Sequence, residues 1–182
     1  MTKLIVCLTG MPGAGKSTIA EGLKVKGYTV ISMGNTIREE AKNRNLEPTR
    51  DNLGNLMLEL RERNGPGAVA ELVKSQIDSS TADVILIDGV RSNDEIKVLR
   101  KFGDVKLLAV HASTDTRFDF LQKRGRSDDP QTKEHFEERD NRELDVGISN
   151  SIALSDYIIS NVGLTKSELI ETAFKIIQSW IK

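Results

Sequence analysis

Short apolar runs and longer amphipathic stretches alternate along this chain. The runs at residues 3–9, 28–32, 84–88, 105–111 and 156–160 are rich in β-branched side chains, the pattern of strands buried on both faces of a parallel sheet. Between them lie helix-like segments at residues 17–26, 36–43, 52–63, 68–78, 94–102, 115–123, 132–146 and 167–181. The prolines Pro12, Pro48, Pro66 and Pro130 all fall between these segments, where a fixed φ and a missing N–H break nothing. Strand and helix in alternation predict an α/β fold with a parallel sheet and right-handed crossovers. Ligands in such folds gather at the C-terminal ends of the strands.

Two interruptions stand out in the alternation. Residues 33–82 carry three helix-like segments and no strand, which predicts a helical insertion over the sheet edge. Residues 124–131 (Arg-Gly-Arg-Ser-Asp-Asp-Pro-Gln) form a polar break before another helix, and predict a short flap, with the lid spanning about 124–142. There is no internal repeat, low-complexity tract or linker, and 182 residues fit one domain able to bury a real core.

Composition narrows the function classes. With 38% hydrophobic and 29% charged residues and a net charge of −1, the chain exerts no general pull on nucleic acid or an anionic membrane. Only 4% of residues are aromatic and there is no basic stripe, which argues against a nucleic-acid-binding module. No window approaches 18 apolar residues, and no basic segment precedes a long apolar one at the start. A single cysteine, Cys7, excludes an internal disulfide and sits mid-strand as a small apolar residue. A cytoplasmic protein is expected. With two histidines and one cysteine, a His/Cys metal site or a Cys–His nucleophile is not expected.

Residues Gly10, Met11, Pro12, Gly13, Ala14, Gly15, Lys16 and Ser17 fit the phosphate-binding pattern G-x-x-x-x-G-K-[ST], between the first strand and the first helix. Glycines let several N–H groups point at one anion, and the helix N-terminus adds its partial positive charge. Lys16 is expected to reach the β- and γ-phosphates of ATP, Ser17 to ligate Mg²⁺, and Thr18 to complete the loop. Asp88 ends the apolar strand at 84–88 with Gly89 directly after, as expected for a carboxylate that orients Mg²⁺.

Arg38 follows the second strand by about one helical turn, and Arg91 follows Asp88 by three residues, so both are expected at the rim that faces the nucleotide. A planar guanidinium pairs bidentately with phosphate and stays charged. Around the flap lie Arg124, Arg126, Arg139 and Arg142. Closing arginines stabilise phosphoryl transfer and exclude water, and Arg126 and Arg139 are the candidates for that task. Residues 117–142 hold seven Lys or Arg against seven Asp or Glu, so a surface laced with ion pairs competes with this reading. Asp128 and Asp129 either tether the closed flap to arginines or form a polar turn before Pro130. The loop at Asn161–Gly163 leaves a strand end where the base of a bound ATP often lies.

These motifs resemble, over essentially the whole chain, the nucleoside-monophosphate-kinase-like branch of P-loop proteins. The segment Ile31-Ser-Met-Gly-Asn-Thr-Ile-Arg38 is similar to Ser-Thr-Gly-Asp-x-x-Arg of adenylate kinases, whose arginine grips the acceptor phosphate. Asp88-Gly-Val-Arg91 is similar to Asp-Gly-Phe-Pro-Arg, and Arg126-Ser-Asp-Asp129 with Arg139 to the lid pattern. The segment at 155–161 resembles the tail of dephospho-CoA kinases. The nearest likeness is to an archaeal P-loop kinase-like family related to adenylate kinase and dephospho-CoA kinase, marked by Thr9-Gly-Met-Pro-Gly13, Asp88-Gly-Val-Arg-Ser92, Arg126-Ser-Asp-Asp129 and Arg139-Asp-Asn-Arg-Glu-Leu144. The resemblance implies a three-layer P-loop NTPase fold with a five-stranded parallel sheet, a helical acceptor-binding insertion and a short lid. It implies ATP binding with Mg²⁺ and leaves the acceptor open.

Departures from the pattern bear on that acceptor. Met33 and Asn35 stand where adenylate kinases have Thr and Asp, and Arg91 comes one residue sooner after Asp88. Glu95 stands where adenylate kinases keep a Gln that reads adenine. An ionised carboxylate has no donor, so Glu95 either selects a base that presents donors, such as guanine or cytosine, or is an exposed helix residue. The expected function is transfer of the γ-phosphate of ATP to a small anionic acceptor, nucleotide or nucleotide-like. Arg38, Arg91 and Glu95 are the expected acceptor-binding residues. The rival is a P-loop ATPase or switch whose insertion binds a protein or RNA.

Overall fold

A computed structural model describes residues 2–181. Its centre is a sheet of β1 (Leu4–Thr9), β2 (Thr29–Ser32), β3 (Val84–Asp88), β4 (Asp104–His111) and β5 (Tyr157–Ser160). The strands are all parallel in the order β2-β3-β1-β4-β5. All five sequence-predicted strands are present, each within one residue of its expected ends. Because side chains alternate across a strand, β1 sends Ile5 and Cys7 to one face and Leu4, Val6 and Leu8 to the other.

Helices cover both faces. On the face of Leu4, Val6 and Leu8, α1 (Lys16–Val25) packs Ile19 and Leu23, and α10 (Lys166–Trp180) packs Leu169, Ala173 and Ile177. The face of Ile5 and Cys7 lies under the insertion, built from α2 (Met33–Asn43), α3 (Arg50–Asn64), α4 (Ala68–Glu71) and α5 (Lys74–Ser79). After β3 comes α6 (Asn93–Leu99), and β4 leads through α7 (Thr114–Arg124) to α8 (Lys133–Val146) and α9 (Ile148–Ala153). The result is the expected three-layer fold.

Three details differ from the sequence expectation. The helix expected at 68–78 is two short helices, because Val73 N–H bonds back three residues to Ala70 at 3.3 Å and tightens the chain into a turn. The second helix begins at Met33 with no loop after β2, since Ser32 caps it by accepting from Asn35 N–H. And α9 was not expected at all; Gly147, in the left-handed region at φ 97°, ends α8 and starts it. The short α9 docks through Ser151, whose hydroxyl lies 2.9 Å from that of Thr9.

Candidate active site

The end of β1 shapes the phosphate loop. Gly10 has φ 139°, and a Cβ there would run into the Val110 carbonyl; at Gly13 it would lie 2.5 Å from the Arg117 carbonyl. Gly15, in the left-handed region, leads into α1 without a side-chain cap. The other helices of ten or more residues each spend a Ser or Thr hydroxyl on that bond. The first N–H groups of α1 therefore remain for an anion. Lys16 folds back on the loop, donating to the carbonyls of Gly10 at 2.5 Å and Met11 at 3.0 Å. Burial lowers its pKa to about 8, against the pull of Asp88 and Glu143.

A cavity of about 490 Å³ opens over this loop, lined by Gly10, Pro12, Gly13, Gly15, Lys16, Ser17 and Thr18 together with Asp88. Met11 and Ala14 contribute backbone instead. The Met11 carbonyl holds Lys16, and the Ala14 carbonyl accepts from Asn161 Nδ2 at 2.9 Å. Asp88 Oδ1 is buried with no hydrogen-bond partner. Burial raises the Asp88 pKa, opposed first by Lys16 and then by Arg126 and Arg91. The unpaired Asp88 oxygen and the Ser17 hydroxyl line the same cavity, and oxygens of these two kinds are a donor set that fits Mg²⁺.

The same cavity collects arginines from separate elements: Arg38 from α2, Arg91 from the loop after β3, Arg126 from the lid and Arg139 from α8. Carboxylates hold most of them. Arg38 pairs with Asp128, Arg91 lies 3.2 Å from Glu143, and Arg139 pairs with Asp128 and Asp129. Arg124 is tied to Asp129 through two bonds, and Arg142 lies against Gly54, where a Cβ would strike its guanidinium. Among the described residues Arg126 has no side-chain partner; burial and then the neighbouring Arg124 and Arg38 lower its pKa. Burial likewise lowers the pKa of Arg139, against Glu143 and Asp128. Of the two readings of Asp128 and Asp129, the tether is the one observed. A smaller pocket of about 50 Å³ continues from the cavity, walled by Ile37, Leu53 and Met57 and by Arg38, Arg91, Arg139, Arg142 and Glu143.

Glu95 requires a correction. It is neither exposed nor on a cavity wall, but 0% exposed. Its carboxylate accepts from Arg61 Nη2 at 2.8 Å and from the backbone N–H of Arg91 at 2.7 Å. A carboxylate at the start of α6 can turn inward because an insertion arginine meets it, a partner 34 residues away that spacing along the chain does not reveal.

Arg117 and Glu143 were not anticipated as site residues, and Asn161, expected beside the base of ATP, instead braces the loop. Arg117 is buried behind the loop, donating to the Pro12 carbonyl at 3.1 Å and bidentately to Asp140. Its guanidinium lies 4.8 Å from the ring centre of Phe136. Asn161 clamps the loop from β5, and Glu143 lines the cavity one helical turn beyond Arg139. The i, i+4 spacing of Arg139 and Glu143 on a helix was the available signal. Among the described residues no helix is long and apolar enough to cross a membrane.

The sequence matches the AAA domain family over residues 9–137. It is 46% identical over 159 residues to a UPF0200 protein of Hyperthermus butylicus, an alignment covering 87% of this chain and 86% of that one. Among solved structures, TT1252 from Thermus thermophilus superposes over all of both chains with a TM-score of 0.74 at 18% identity. Shikimate kinase from Acinetobacter baumannii, in complex with shikimate, gives 0.64 at 13% identity, covering all of this chain and 96% of that one. These two likenesses are of fold.

Proposed function

The chain belongs to the UPF0200 family and to the AAA domain family, and from that premise we propose that it is an ATP- and Mg²⁺-dependent phosphotransferase of the nucleoside monophosphate kinase type. It moves the γ-phosphate of ATP to a small anionic acceptor, nucleotide or nucleotide-like. One observation carries this reading: a phosphate loop with uncapped helix N–H groups shares a single cavity with arginines from the insertion and the lid. A switch that only hydrolyses ATP has no need of an insertion arginine, Arg38, in the same cavity as the loop. The likeness of fold to a kinase supports the same reading.

In this proposal the backbone N–H groups of the loop at residues 10–18, to which Pro12 contributes none, and the Lys16 ammonium hold the β- and γ-phosphates. Lys16 leaves the Gly10 and Met11 carbonyls to do so. Ser17 and Asp88 hold Mg²⁺, which neutralises charge on the phosphate oxygens when bound. Arg38 and Arg91 hold the acceptor's anionic group, and Arg126 and Arg139 close over the transferring group. Among the described residues Arg126 has no side-chain partner, so in this reading its guanidinium is free to meet the negative charge that spreads over the equatorial oxygens. The partner is thus a small molecule, and the ordinary composition with one buried cysteine supports a cytoplasmic setting.

The test is ADP release with Mg²⁺-ATP across nucleoside monophosphates, dephospho-CoA, shikimate and no acceptor. Stimulation by one acceptor of at least tenfold, lost in Lys16→Ala and reduced in Arg38→Ala, is the expected result. Slow hydrolysis indifferent to the whole panel would instead identify an ATPase or switch, with the 33–82 insertion as the partner surface.

A further inference from the structure

The kinase reading leaves the reacting atom of the acceptor open, and Glu143 bears on it. Glu143 is 5% exposed and lines both the main cavity and the smaller pocket behind it. Its Oε2 is buried, with no hydrogen-bond partner among the described residues. Arg91 Nε lies 3.2 Å from that oxygen but outside hydrogen-bond geometry, and Arg91 Nη1 is directed to Met57 Sδ at 2.8 Å. A buried oxygen with no hydrogen directed at it, on the wall of a phosphate-handling cleft, is a place where a ligand supplies the donor.

The chemistry of candidate acceptors separates here. A nucleoside monophosphate presents phosphate oxygens that carry charge and no hydrogen at neutral pH, and a buried carboxylate beside them repels the reacting group. A hydroxyl brings the hydrogen that Oε2 lacks. Of the other carboxylates at the cleft, Asp128 and Asp129 are engaged by arginines and Asp88 by its proposed metal role, while Glu21 on α1 is exposed to solvent. Nor does the acceptor side offer a base-reading group at Glu95, whose carboxylate is taken by Arg61 and by the backbone of Arg91.

Resting on the phosphotransferase reading above, we propose that Glu143 is the proton acceptor for a hydroxyl nucleophile, and that the acceptor is a hydroxyl-bearing small anion rather than a nucleoside monophosphate. The hydroxyl oxygen attacks the γ-phosphorus of the nucleoside triphosphate and forms the new O–P bond. The bond from that phosphorus to the β–γ bridging oxygen breaks, and its electron pair leaves with the nucleoside diphosphate. The hydroxyl proton passes to the Glu143 carboxylate and then to solvent. Each turnover thus yields a phosphate ester, a nucleoside diphosphate and one proton. Arg38 and Arg91 keep the task given them above, holding the acceptor's anionic group, and Arg142 lines the same pocket.

The experiment compares two arms with Mg²⁺-ATP and the full chain. One contains AMP, GMP, CMP and UMP; the other contains glycerol 3-phosphate, glycerate and ribose 5-phosphate. ADP release is expected to rise in the second arm. Glu143→Gln is then expected to lower kcat at least a hundredfold and to remove the acid limb of the pH–kcat profile. Calorimetric Kd for the same probe, measured with ADP in place of ATP, is expected to stay within threefold, and the melting temperature within a few degrees. Glu143→Asp retains a carboxylate and is expected to keep part of the rate. Stimulation by a nucleoside monophosphate alone would overturn the hydroxyl acceptor and leave the kinase reading standing. A Glu143→Gln variant with kcat within tenfold of wild type would overturn the proton-acceptor role. No stimulation in either arm, nor by dephospho-CoA or shikimate, would overturn both readings together.

Discussion

Arg38 and Asp128 join the insertion to the lid: Nη2 of Arg38 lies 2.9 and 3.1 Å from the two carboxylate oxygens of Asp128, across 90 residues of chain. Ser127 adds a bond from its hydroxyl to the Pro48 carbonyl at 3.1 Å. The lid is thus closed on the insertion by the arginine that the acceptor is proposed to need. Acceptor anion and lid carboxylate compete for one guanidinium.

Asp128→Asn is therefore expected to loosen the ligand-free lid. The arginine side chain is 27% exposed and the aspartate 10%, and Asn keeps an oxygen that can accept from Arg38, so the change costs about 1 kcal/mol, or roughly 2–4 °C in Tm. Trypsin cleavage after Arg124 or Arg126, followed by mass spectrometry, is expected to speed up several-fold. An unchanged cleavage rate would mean that other contacts hold the lid.

Lys16 gives a pH dependence of defined sign. Its pKa falls from the ordinary 10.5 to about 8 through burial. Between these values the unfolded chain keeps a proton that the folded protein has shed, so the ligand-free protein gains stability as pH rises across that window. Phosphate draws the proton back onto Lys16. ATP affinity is expected to fall about fivefold from pH 8 to pH 9 and about tenfold per unit beyond, with proton uptake on binding. Calorimetry at pH 9 in buffers of differing ionisation enthalpy measures that uptake, which Lys16→Ala is expected to abolish.

Glu95→Gln distinguishes a buried brace from a base-reading residue. Removing the carboxylate leaves the Arg61 guanidinium, 12% exposed, without its counter-charge. A loss of about 3 kcal/mol, near 10 °C in Tm, is expected. Relative rates across acceptors are expected to hold while stability falls. A change in acceptor preference at full stability would reverse the assignment.

Asn161→Ala removes the clamp on the Ala14 carbonyl and leaves a buried acceptor unpaired. A five- to tenfold weaker Kd for ATP, about 1–1.4 kcal/mol, is expected from fluorescence titration. The global Tm is expected to move by only a few degrees, since β5 keeps its ladder to β4.

Local pattern made much of the fold legible. The strands at 84–88 and 105–111 read as apolar runs because both faces of the sheet are covered, and the phosphate loop read as a motif because its glycines, Lys16 and Ser17 are consecutive. The lining of the cavity was legible wherever its residues lie within a few positions of a strand end, as Arg38, Asp88 and Arg91 do. Glu143 and Arg117 were not, because each is one charge among many on a polar helix and acquires its role only from what it faces. The turn at Leu72–Val73 and the six-residue α9 escaped because segments so short carry too little periodicity.

The sequence by itself determined an α/β chain, its five strands, the position of the phosphate loop and the elements that carry the arginines. These are local properties, written in side-chain period and in motifs of a few residues. Tertiary structure alone decided the strand order, the inward turn of Glu95 towards Arg61, the lid tie between Arg38 and Asp128, and the unpartnered oxygen of Glu143. Each of those depends on burial and on a partner far along the chain. Whether a carboxylate is a solvated surface group, a brace or a reacting base is set by the water it loses and the charge it meets, and folding fixes both.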